Sequence, residues 1–373
     1  MELMQANRQW ASRPADERFT SLDDMFYFAA GLRDASRQLT YSSRKIELRP
    51  LEDESHKDLA IYGQADTPYC PTHWAFGQLA KISGGLSARD LRKLPAEIVC
   101  DAVNWCLKFH RSAEDVGLLL TKTEPGTCRA VTGPNYGRIW NADIIAGLQH
   151  HLDPNAWSIP GEFGKKVPIT KDNTTLYMGD RDMFVFLADE ENRIEVPGRR
   201  AGMHGNFARG FFCWNSEVGS ETIGMGTFLY DYVCCNRIIW GASNYQEVRM
   251  RHTSAAPDRW IEEVQPALIA YSKGSTKPIQ DAIKEAQKTR LKNEAGEFLA
   301  KRFGKGRATA IIAAHNLEEQ RPIETVWDVV VGATAYAKGI TWQDERTAVE
   351  RLAGELVKLQ GVADHRALAL IEV

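Results

Sequence analysis

The stretch "FARGFFCWNSEVGSETIGMGTFLYDYVCCNRIIWGA", residues 207–242, constrains the fold more than any other part of the chain. It is rich in aromatic and β-branched residues and is interrupted by the polar turn "NSEVGSE", so it reads as two long β segments. Strands this apolar belong in a core, and the rest of the chain has to cover them.

The flanking periodicity supplies that cover. "SLDDMFYFAAGLRD" predicts a helix capped by Ser21, and "TPYCPTHWAFGQLAKISG" a second, capped by Thr72 and stopped by Gly84-Gly85. In "SARDLRKLPAEIVCDAVNWCLKFH", Ile98, Ala102, Trp105, Cys106 and Phe109 recur at three- and four-residue steps, which predicts one buried helix face. From about residue 115 the pattern turns to strands, with a short helix at "NADIIAGLQHHLD" capped by Asn141, strands in "TTLYMGDRDMFVFLADEENRIEV", and another in "EVRMRHT". After residue 257 every segment is helix-like. The expectation is an α+β fold with a central antiparallel-rich sheet: a mainly helical part at 1–112, a β-rich core at 113–256 and a helical part at 257–373.

With 373 residues, 43% of them hydrophobic, the chain can bury its core without a disulfide or metal staple. A net charge of -3 implies no global attraction to a polyanion, so any such partner needs a local basic patch. The seven cysteines follow no secreted disulfide framework, the start lacks a signal-peptide pattern, and no apolar run is long enough to span a bilayer. A cytoplasmic protein with reduced thiols and no membrane partner is expected.

Metal and covalent chemistry have little to build on. Cys234 and Cys235 are neighbours in a predicted strand, so they point to opposite faces, and neither a CxxC pair nor an HExxH motif occurs. His150 and His151 diverge at a helix end, while His110, His204, His252 and His315 are isolated. There is no GxSxG elbow, and "GKGRATAIIAA" lacks Walker spacing, so neither a metal nor another cofactor is expected. The acids Asp180, Asp182, Asp189, Glu190 and Glu191 fit solvated strand ends, or else a magnesium cluster.

Basic residues are more suggestive. "PGRRAGMHGNFARGF" carries Arg199, Arg200, His204 and Arg209 with Phe207 and Phe211 interleaved, and "VRMRHT" adds Arg249, Arg251 and His252. Between Lys273 and Arg307 ten basic residues face four acidic ones, including Lys284, Lys288 and Lys292 at four-residue spacing. Cations beside aromatic rings suit single-stranded nucleic acid, where charge follows the backbone and rings stack on bases. Such a run also suits an ordinary solvated helix face.

Several segments, in order, resemble the phage/plasmid-like protein family, domain of unknown function 932. They are "CRAVTGPNYGRIWNADIIAGL", "MGDRDMFVFLADE", "WNSEVGSETIGMGTFLYDYVCCNRIIWGA", "VRMRHT" and "TVWDVVVGATAYAKG". Asn215-Ser216, Val233-Cys234 with Asn236, Arg251-His252-Thr253 and Trp327-Asp328 match the family's pattern over roughly residues 70 to 350. Glu217-Val218-Gly219-Ser220 departs from it, standing where members often have His-Asp-Gly-Ser. The resemblance implies a mobile-element protein whose Cys234 and Asn236 are fold signatures, with Arg237 facing away from the helices.

The expected function is therefore binding or annealing of single-stranded DNA in recombination or replication, without catalysis, by a homo-oligomer. The expected contacts are Arg199, Arg200, Arg209, Arg237, Arg249, Arg251, Lys284, Lys288 and Lys292, with Tyr136 and Phe207 stacking on bases. One alternative is a metal-dependent nuclease using Asp180, Asp182 and His252. Another is an anti-defence or structural protein that recognises a protein partner around Tyr336 and Trp342.

Overall fold

The structure is a computed structural model that describes residues 14–52, 58–63, 67–110, 114–123, 126–160, 168–197, 205–231, 236–238, 248–292, 294–340 and 343–361. The chain enters through β1 (Arg18–Phe19) and α1 (Leu22–Asp34), then β2 (Ser36–Ser42), β3 (Glu47–Pro50), β4 (Leu59–Tyr62) and β5 (Tyr69–Pro71). Helices α2 (His73–Ile82), α3 (Ala88–Leu91) and α4 (Ala96–Trp105) follow, the last prolonged by a π-helical turn, Cys106–His110. Next come β6 (Asp115–Thr121), β7 (Gly126–Thr132) and α5 (Asn141–His151). The second half of the sheet structure is β8 (Trp157–Ser158), β9 (Leu176–Met178), β10 (Met183–Asp189), β11 (Ile194–Val196), β12 (Gly205–Asn215), β13 (Ile223–Asp231), β14 (Asn236–Ile238) and β15 (Val248–Met250). Helices α6 (Ala256–Arg259), α7 (Gln265–Lys273), α8 (Lys277–Lys288), α9 (Ala295–Phe303), α10 (Lys305–Glu319), α11 (Val326–Lys338) and α12 (Gln343–Gly361) complete an α+β fold.

Two sheets form. The N-terminal one has the order β2-β6-β7-β5-β4-β3 and is antiparallel except for the β5–β7 pair. The larger has the path β1-β9-β10-β12-β13-β14, with β8, β11 and β15 pairing onto it, all antiparallel. The stretch expected to be mainly helical therefore contributes five strands, four to the N-terminal sheet and β1 to the larger one, and the boundary at residue 112 cuts through a sheet. A strand is expected in "SSRKIELRPLED", where β3 forms, but β4 and β5 are too short for a period of two to declare itself, and β2, "SRQLTYS", is mostly polar.

Local signals place the helices. The Ser21 hydroxyl accepts from the Asp24 N–H at 3.1 Å and Thr72 from the Ala75 N–H at 3.1 Å, each satisfying a donor that the first helical turn leaves open. Helix α5 is capped differently: Asn141 is its first residue, and the Asn141 N–H donates to Glu217 Oε1 at 2.8 Å. The cap is a carboxylate delivered from 76 residues away.

In the large sheet, the face bearing Phe207, Phe211 and Cys213 is covered by helices along its length. Helices α1, α5 and α7 cover Val185, Leu187 and Phe211, while α8 to α12 cover Phe207, Leu229 and Ile194. The other face alternates rings with glycines across β12 and β13: Trp214 opposes Gly224, Phe212 opposes Gly226, and Gly210 opposes Phe228. Phe184, Phe212 and Trp214 stack in sequence at 6.0 and 5.5 Å, nearly parallel, over the space the glycines leave. Both faces are buried.

Candidate anion-binding cleft

The turn between β12 and β13 joins the two sheets. Val218 packs on Leu119 and Ala130 of the N-terminal sheet, and its carbonyl accepts from Trp74 Nε1 at 3.0 Å and Gln78 Nε2 at 2.8 Å. Glu217 Oε2 accepts from Arg129 Nη2 at 2.7 Å, both side chains being buried, and the Arg138 guanidinium donates to the Glu217 carbonyl. Burial pulls Arg138 down to about 10, the nearby Glu217 and Tyr136 opposing the shift. Ser216 Oγ donates to the Arg181 carbonyl at 2.6 Å, and the Tyr136 hydroxyl donates to the Ser216 carbonyl at 2.7 Å. The turn is thus pinned by side chains from α2, β7 and the β7–α5 connection.

Beside it opens a cleft of about 1050 Å³, lined by His73, Trp74, Gln78, Lys81, Arg92 and Arg181 together with small residues, including Gly219. Helix α2 presents His73, Trp74, Gln78 and Lys81 to the cleft, while Ala75, Phe76, Leu79 and Ala80 face the core. Arg92 follows α3, and Arg181 sits in the β9–β10 turn. Gly219, at φ 79°, needs the left-handed region that glycine favours, and a Cβ there would approach Tyr136 to 3.4 Å.

The cations are held in place. Arg181 lies over the Trp74 ring at 5.6 Å and contacts His73 Nδ1 at 3.2 Å. Arg92 lies over Phe76 at 5.1 Å and donates to the His73 carbonyl at 2.7 Å. Partial desolvation, with the Arg92 and Arg181 charges beside it, lowers the His73 pKa, Asp180 opposing the shift. Burial and the Arg181 charge likewise lower that of Arg92. Among the described residues no carboxylate lines the cleft itself, and the acid beside its cations is the exposed Asp180, 4.0 Å from Arg181 Nε, so an anion placed among the cationic groups relieves their mutual repulsion.

Among the described residues, none of those expected from sequence lines this cleft. Arg209 is buried: its Nε donates to Asp189 Oδ2 at 2.9 Å, its Nη2 lies 2.9 Å from the same oxygen, and it also donates to the carbonyls of Tyr271, Ser272 and Gly274. Phe207 is buried against Trp327 at 5.6 Å. Neither is presented to a ligand. The Tyr136 ring is occupied, stacked on His252 at 4.9 Å with Arg138 5.1 Å from its centre, and burial raises its phenol pKa. Arg249 is exposed over the Trp214 ring, Arg251 is exposed just past β15, and Lys284 and Lys288 are exposed on α8. Lys292 lies beyond the end of that helix, so the three lysines do not share one helix face. Arg199, Arg200, Trp342, Cys234, Cys235 and the side chain of Arg237 lie outside the described residues.

The nuclease set does not assemble either. Asp180 is exposed, Asp182 is buried, and His252 is buried with Nδ1 on the Gly137 carbonyl at 3.0 Å. Burial lowers the His252 pKa. Among the described residues no group of three or more His, Cys, Asp or Glu side chains is placed to hold a metal ion. No described helix is long and apolar enough to cross a membrane.

The comparisons with known proteins add no relative: the chain matches no family model, no curated protein and no solved structure.

Proposed function

We propose that the chain binds single-stranded nucleic acid, as a phage or mobile-element protein acting in recombination or replication, with the cleft beside α2 as the seat of backbone phosphates. The observation that carries this reading is the lining: Lys81, Arg92, Arg181 and His73 around an indole ring, with no acid among the described residues that line it. In a chain of net charge -3 such a local excess is what draws a polyanion. Ring-stacked guanidiniums are preorganised to hold phosphate oxygens, and Trp74 supplies the ring that holds Arg181 in place. A cleft at the top of the ligand-site range of about 300–1,000 Å³ has room for a few nucleotides of one strand.

The test is fluorescence anisotropy of a labelled single-stranded oligonucleotide, at low and physiological salt, with and without magnesium. Binding should weaken steeply with salt, and Arg181→Gln with Lys81→Gln should lower the slope of log affinity against log salt by roughly one per phosphate contact removed. Binding indifferent to salt, or equal in parent and double variant, sinks the reading. Shortening of the oligonucleotide in magnesium replaces it with a nuclease.

A further inference from the structure

Helix α4 is apolar on two sides. Ala96, Val99, Cys100, Val103 and Leu107 are buried against the N-terminal sheet. Its outer side carries Ile98, Trp105 and Phe109, exposed by 52%, 58% and 70%, with Leu94 at 40% just before the helix. Three of these are residues expected from sequence to be buried. The Trp105 and Phe109 rings are 5.8 Å apart, so the π-helical turn keeps the stripe continuous.

We propose that this stripe pairs two copies of the chain, antiparallel about a twofold axis at the Asp101–Ala102 peptide. The positions are symmetric about that point. Leu94 meets the partner's Phe109, Ile98 meets the partner's Trp105, and the small Ala102 lets the helices approach at the crossing. Charge selects the same direction. Glu97 and Asp101 flank the stripe in its N-terminal half and Lys108 in its C-terminal half, all exposed. Antiparallel pairing sets Lys108 beside the partner's Glu97, whereas parallel pairing sets Glu97 against Glu97 and Lys108 against Lys108; Asp101, at the axis, meets its own copy in either arrangement and does not choose between them. The four exposed side chains cover on the order of 1,000 Å² across the pair, the lower limit for a specific interface, so the dimer forms and dissociates with concentration. Leu94 also lines a second cavity, of about 550 Å³, that shares His73 and Arg92 with the cationic cleft. The partner's Phe109 therefore lies at the rim of that cavity and adds a ring to the wall beside the cleft.

Sedimentation velocity of the full chain over the micromolar range tests this without any ligand, so its outcome is independent of the nucleic-acid reading. A concentration-dependent shift from monomer to dimer is expected. Trp105→Lys, at an exposed position, should weaken dimerisation at least tenfold with an unchanged circular dichroism spectrum. Lys108→Glu should weaken it as well, and mixing that variant with Glu97→Lys should restore pairing. A monomer at every concentration, a dimer that Trp105→Lys leaves intact, or a Lys108→Glu defect that Glu97→Lys does not rescue overturns the proposal.

Discussion

Arg209 marks the seam where the two helical layers meet on the large sheet. It stands between Phe207, which packs on the C-terminal helices, and Phe211, which packs on α5 and α7. There its guanidinium neutralises Asp189 and satisfies carbonyls at the end of α7, groups that the helix itself leaves open. Removing one partner of such a pair leaves a buried charge alone. Arg209→Met should therefore destabilise the chain by about 3–5 kcal/mol in urea unfolding. If the folded variant instead kept its stability and lost oligonucleotide affinity, Arg209 would belong to a binding surface after all. Sequence reading put it there because a basic residue in a glycine- and aromatic-rich run looks exposed. Its anion lies 20 residues upstream and its carbonyls more than 60 downstream, and only tertiary structure brings them together. The cleft residues were hidden for the opposite reason. His73, Lys81, Arg92 and Arg181 are ordinary polar and charged residues on three separate elements, though "HWAFGQLAK" did hold a clue in the polar and aromatic residues on the outer side of its helix.

Strands β12 and β13 were legible as elements because their apolar runs are long and end at a polar turn. Their pairing chemistry was not, since the ring–glycine alternation appears only once the register is known. It makes the glycines specific. A Cβ on Gly226 would come within 2.4 Å of the Phe212 ring, and that ring is stacked between Phe184 and Trp214 with nowhere to move. Gly31, exposed on α1, has nothing within 4 Å of a Cβ. The same substitution should thus have opposite signs: Gly226→Ala destabilises by about 1–3 kcal/mol through overpacking, while Gly31→Ala stabilises by about 0.5–1 kcal/mol through helix propensity. Equilibrium denaturation of both variants decides it, and equal effects would mean the β12–β13 register is wrong. Helix α4 misled for a related reason. Both of its sides are apolar, and periodicity identifies a stripe without saying which side meets the core.

The α+β class was legible across the whole molecule because the hydrophobic period changes twice along the chain. The way the two sheets are joined was not. That joint is the turn Asn215–Ser220, and the turn's own side chains serve as its anchors. Asn215 Nδ2 donates to the Ile139 carbonyl at 2.8 Å and to Asn141 Oδ1 at 2.7 Å, and Ser216 binds Arg181. Glu217 does most: it pairs with Arg129 of the N-terminal sheet and caps α5, which packs on the large one. Glu217→Ala leaves Arg129 charged and buried and the first N–H of α5 open, so it should lower stability by about 3–5 kcal/mol. Because the lost contacts tie both sheets, tryptophan fluorescence and far-ultraviolet circular dichroism should shift to lower denaturant together. The cleft should suffer as well, since Trp74, Gln78 and Gly219 take their positions from the same turn, and oligonucleotide affinity should fall even where the variant is fully folded. Glu217→Gln keeps the shape and an acceptor for the helix cap, so its loss should be smaller. Separate shifts of the two signals, or an alanine variant within about 1 kcal/mol of the parent, would show that the sheets are held together elsewhere.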